Sequence, residues 1–149
     1  HLALIINISK LIESNNRSFR IITNCYNETI SLWDIYLLVG DSIVTNMSKG
    51  GKTYKYINKE FINKNNKIIK LNEKENKFLN EAIDLAKKCH KELIFCPTIG
   101  WDVILNKNGC YFLEGNIGVT ISCDVDKNPM NKQKEYLDFV QKIYNHIIK

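Results

Sequence analysis

No stretch of the chain stays apolar long enough to cross a bilayer, which excludes a helical membrane span. The first residues show neither a basic leader segment nor a small-residue cleavage site, so no export signal is expected there. Paired cysteines are missing too. Cys25, Cys89, Cys96, Cys110 and Cys123 are odd in number and scattered without a CxxC, which argues against a disulfide frame or a zinc site. Buried thiols in a reducing, cytoplasmic compartment are the expectation. The only histidines, His1, His90 and His146, lie far apart, so a Ser–His or Cys–His nucleophile system has no support. Arginine is scarce: Arg17 and Arg20 are the only two.

What is present begins with GWDVILNKNGCYFLEGN, from Gly100 to Asn116. Val103, Ile104 and Leu105 favour a strand, Asn106 to Gly109 signals a turn, and Cys110 to Leu113 reads as the returning strand. Alternation puts Glu114 and Asn116 on one face. With a three-residue loop, Lys107 to Gly109, and Gly109 at positive φ, Asn106 pairs with Cys110 and Asp102 falls opposite Glu114. Two carboxylates facing each other repel unless a cation sits between them. Asp102, Glu114 and Asn116 offer only oxygen, which suits Mg²⁺ or Mn²⁺ better than Zn²⁺. A hairpin with a solvated acidic edge is the competing reading of the same residues.

At 149 residues, the length is that of a single domain with a real core. Further strands are expected over 19–24, 32–39, 43–46, 52–57 and 67–71, with short polar gaps that favour antiparallel neighbours. A helix is expected over 73–93, where Phe78, Leu79, Ala82, Ile83, Ala86, Cys89 and Leu93 form one stripe behind Asn72 as N-cap. A last helix is expected from 129 or 131 to about 148, with Tyr136, Leu137, Val140, Ile143, Tyr144 and Ile147 on one face. The fold class is therefore α+β: an antiparallel sheet with packed helices. The chain opens on His1 and an Ile-rich stretch, so it reads as a portion of a longer protein.

The net charge is +5, carried largely by lysine. Lys49 to Lys70 is a basic segment with Tyr54 and Tyr56 interleaved, a pattern that single-stranded nucleic acid could use. These lysines follow no single face, so a solvated β-meander is the preferred reading and nucleic acid is disfavoured. Asn46, Lys49, Gly50 and Gly51 end a strand with paired glycines beside lysines, where backbone N–H groups could converge on an anion. The segment does not match the GxxxxGK[ST] phosphate loop, and a glycine turn explains it as well. Arg20 lies inside a strand pattern and needs a carboxylate or phosphate partner.

Taken in order, RIIT at 20–23, TNMSKGG at 45–51 and GWDV…EGN at 100–116 resemble the ATP-grasp ligases. The likeness is to the sugar-transfer-associated group among polysaccharide-biosynthesis proteins. It spans nearly all of the chain, and the hairpin motif is its specific part. It implies the C-terminal lobe of an ATP-grasp fold, with Asp102, Glu114 and Asn116 as Mg²⁺ ligands on ATP. Arg20 would face the transferred phosphate, and Asn46, Lys49, Gly50 and Gly51 would lie near phosphate or acceptor. The implied chemistry is ATP-driven ligation of a carboxylate substrate to an amine or similar nucleophile through an acyl phosphate.

The family grips ATP between two lobes. The lysine-bearing strands that precede this region are expected to belong to an N-terminal lobe, so weak ATP binding and no ligation are expected of the chain alone. A degenerate ATP-grasp half acting as a binding or scaffold module, and a basic nucleic-acid-binding domain, remain as alternatives.

Overall fold

A computed structural model describes residues 17–40, 52–106, 108–117, 119 and 134–147. Seven strands form one sheet: β1 (Arg17–Tyr26), β2 (Thr29–Val39), β3 (Lys52–Ile57), β4 (Glu60–Ile62), β5 (Ile68–Ile69), β6 (Thr98–Asn106) and β7 (Gly109–Asn116). Their order is β5-β4-β3-β2-β1-β6-β7, and every neighbouring pair is antiparallel. Two helices among the described residues join it in an α+β arrangement, α1 (Glu73–Lys91) and α2 (Lys134–Ile147). Among the described residues, no helix is long and apolar enough to cross a membrane.

One face of the sheet packs on α1. Phe19 and Ile21, Ile35 and Leu37, Tyr54, Phe61, and Ile99, Trp101 and Val103 form one buried cluster with Leu79, Ala82 and Ala86 of the helix. Asn72 caps α1 in both directions: its side chain accepts from the Glu75 N–H at 2.9 Å, and Glu75 accepts from the Asn72 N–H at 2.8 Å. His90 ends the buried stripe, a position the apolar pattern alone leaves out.

The expected strands at 19–24 and 32–39 run longer, 52–57 forms as expected, and 67–71 shrinks to two residues. β4 is an addition. It is three residues long and follows a tight turn at Asn58 and Lys59, both at positive φ (51° and 67°). The helix expected to 93 ends at Lys91 and continues as turn. On α2, Leu137, Val140 and Tyr144 of the expected apolar face are exposed. Ile143 of that face is half-buried beside a cavity it lines with Ile94, Phe95 and Pro97, and Phe139 adds a ring contact 5.9 Å from Trp33. The strand expected at 43–46, together with Asn46, Lys49, Gly50, Gly51 and Cys123, lies outside the described residues.

Candidate functional site

Since Phe19, Ile21, Trp101 and Val103 face α1, alternation turns Arg20 and Asp102 to the other face of the sheet. Strand register then builds a lateral row. Lys55 of β3 pairs with Tyr36 of β2, Tyr36 with Arg20 of β1, Arg20 with Asp102 of β6, and Asp102 with Glu114 of β7. Asn116, two residues beyond Glu114, occupies the next row opposite Gly100. The structure thus brings Arg20, Asp102, Glu114 and Asn116 together on one face.

The pairing of Asp102 with Glu114 arises differently from the sequence expectation. Asn106 pairs with Gly109, not with Cys110, so the turn is one residue shorter than expected. Asn108 donates its N–H to Asn106 Oδ1 at 2.7 Å and tightens that turn. Continued regularly, this register would set Asp102 opposite Leu113 and Trp101 opposite Glu114, driving a carboxylate into the core. A bulge intervenes: Val103 pairs with Phe112, yet Asp102 pairs with Glu114, and Leu113 is the extra residue. Gly115 explains why β7 accepts the shift. It faces Trp101, and a Cβ there would lie 2.9 Å from the indole ring.

Arg20 holds Asp102 in a fork, with Nε to Oδ1 at 2.8 Å and Nη2 to Oδ2 at 2.7 Å. The hydrogen bond to Asp102 lifts the Arg20 pKa above its ordinary value. Burial opposes this, and the charges of Asp102 and Glu114 add to it. The Asn116 amide nitrogen lies 2.9 Å from Glu114 Oε1 and 3.5 Å from Asp102 Oδ2. Both carboxylates therefore converge on one amide group, and turned over, that amide would present oxygen to the same point. Two carboxylates and an amide oxygen, with no nitrogen or sulfur ligand, fit a hard divalent cation. Among the described residues no group of three or more His, Cys, Asp or Glu could hold a metal, so the amide is essential to such a site.

Beyond Arg20, on the side away from Glu114, Asp34 Oδ2 receives both Lys55 Nζ and the Tyr36 hydroxyl at 3.0 Å. Sequence reading counted Lys55 among the solvated lysines and gave Asp34 and Tyr36 no role. Register is the signal that links them to the site. The tyrosines of the basic segment are committed elsewhere: Tyr54 is buried in the core, and the Tyr56 ring lies 4.9 Å from that of Phe61. Burial pushes the thiols of Cys25 and Cys110 up, away from the thiolate, as packing residues require. Comparison of the chain with family models, with curated proteins and with solved structures gives no match in any of the three.

Proposed function

We propose that the chain supplies the metal- and phosphate-binding side of an ATP-grasp ligase. Such an enzyme joins a carboxylate substrate to an amine or similar nucleophile through an acyl phosphate, here in the assembly of polysaccharides or sugar conjugates. The observation that carries this reading is the bulge-set register that puts Asp102 directly opposite Glu114 with Asn116 beside them. Two facing carboxylates repel; Arg20 and the Asn116 amide offset part of that repulsion, and a divalent cation would offset the rest.

In this reading Asp102, Glu114 and the Asn116 amide hold Mg²⁺, with Mn²⁺ as a substitute. Bound there, the cation draws off charge that develops on the transferred phosphoryl group. Arg20 keeps Asp102 oriented and directs its remaining N–H groups at phosphate. Asn46, Lys49, Gly50 and Gly51 would attend the phosphates or the acceptor.

Titration of the 149-residue chain with Mn²⁺ alone, following free Mn²⁺ by electron paramagnetic resonance, tests the assignment. Asp102→Asn, Glu114→Gln and Asn116→Ala should each weaken binding roughly tenfold or more, by analogy with losses at metal sites. Equal Mn²⁺ affinity in the wild type and all three variants would sink the proposal.

A further inference from the structure

Behind the cation ligands, inside the core, a chain of polar groups ends on the Trp101 indole. Trp101 Nε1–H donates to Thr23 Oγ1 at 2.8 Å, and Thr23 Oγ1 lies 2.7 Å from His90 Nδ1. His90 Nε2 in turn lies 2.8 Å from the Cys96 carbonyl oxygen. One assignment of protons satisfies every atom. The carbonyl only accepts, so Nε2 carries hydrogen; Nδ1 then accepts the Thr23 hydroxyl, whose lone pair receives the indole N–H. Thr23 and His90 are fully buried and Trp101 nearly so, which leaves these groups no water as an alternative partner.

The chain fixes the pose of the ring that Gly115 lies against, and Gly115 stands between Glu114 and Asn116. Phe112 and His90 meet the same ring edge-on at 5.9 and 6.4 Å. We infer that Thr23, His90 and Trp101 are positioning residues for the cation site. They lock β7 in the bulged register that holds Glu114 and Asn116 against Asp102. The competing register lies one residue away. With the ring free to turn, Trp101 no longer requires a glycine opposite it, and the spacing of the three ligands loosens.

This inference rests on the proposed cation site, and its test separates the two. In the 149-residue chain, Thr23→Val should lower Mn²⁺ affinity about fivefold or more. That is a smaller loss than the roughly tenfold or more seen for groups bonded directly to metal ligands, because Thr23 acts through Trp101 and Gly115. Thr23→Ser should restore it to within about twofold. Cross-strand nuclear Overhauser contacts between Asp102 and Glu114, read without metal, should weaken in Thr23→Val and persist in Thr23→Ser. Leu79→Ala, a core truncation on α1, controls for lost stability and should keep wild-type affinity. If Thr23→Val does not fold, Gly115→Ala serves: its methyl group would press on the Trp101 ring, and it should likewise weaken the Asp102–Glu114 contacts, whose persistence would overturn the role.

Wild-type Mn²⁺ binding and contacts in Thr23→Val, or an equal loss in Leu79→Ala, overturn the positioning role. If the wild type binds no Mn²⁺, the cation reading fails, while the cross-strand contacts still decide whether Thr23 sets the register.

Discussion

Arg20 stands in two relations at once, to a carboxylate it already holds and to a cation that would compete for it. A positive charge beside a dication site repels the dication, yet a guanidinium beside a nucleotide attracts phosphate. Arg20→Gln should therefore tighten binding of Mn²⁺ alone and weaken binding of Mn²⁺ with ATP, and titrations with and without nucleotide read the two signs. A change in the same direction in both would remove Arg20 from the phosphate side. Gly115 has a simpler constraint. A methyl group there meets the Trp101 ring at 2.9 Å, so Gly115→Ala should cost about 1–3 kcal/mol by overpacking, measurable by urea unfolding.

Helix α1 carries its own titration. Burial lowers the His90 pKa below its ordinary value and outweighs the bond to the Cys96 carbonyl, which acts the other way. The unfolded chain thus takes up a proton at a higher pH than the folded one, and stability must fall on acidification. The contribution is complete above the ordinary histidine value of about 6.5 and is lost as pH drops toward the lowered folded value. The slope cannot exceed about 1.4 kcal/mol per pH unit for one proton. Urea unfolding across this range should show the slope in the wild type and its loss in His90→Gln. At the other end of α1, Asn72→Ala should cost roughly 1 kcal/mol through the lost cap. That cap was legible in the sequence, because Asn72, Glu75 and the following stripe state it locally. His90 was not, because its buried partner is Thr23 of β1, 67 residues away in sequence. β4 escaped notice because its turn uses Asn58 and Lys59 where Asn-Gly would have signalled a hairpin. The pairing of Asp102 with Glu114 was read from a longer turn than the one that forms. A residue in the turn and a residue in a bulge shift the register equally, and spacing cannot tell them apart.

At the scale of the sheet, one face packs on α1 and the other carries the polar row beside buried Ile22 and Leu38, and this division bears on ligands. With Tyr54 buried and Tyr56 packed against Phe61, neither tyrosine of the basic segment offers a single strand a fully open ring to stack on. Any oligonucleotide binding should be weak and equal for every base composition, and tight, base-selective binding in a filter assay would contradict this. Asp34→Asn should weaken the Lys55 pairing yet leave Mn²⁺ affinity within about twofold, because Arg20 stands between it and the ligands. The lateral row also has a history in time. Asp102, Glu114 and Asn116 belong to one hairpin and can meet as soon as that hairpin closes. Arg20 lies 82 residues from Asp102, and β1 must slot between β2 and β6 before the two can touch. Such long loop closures are the slow events of folding. During refolding, the two carboxylates and their amide are therefore expected to wait for the arginine, since β1–β6 joins the most distant of the described strand pairs.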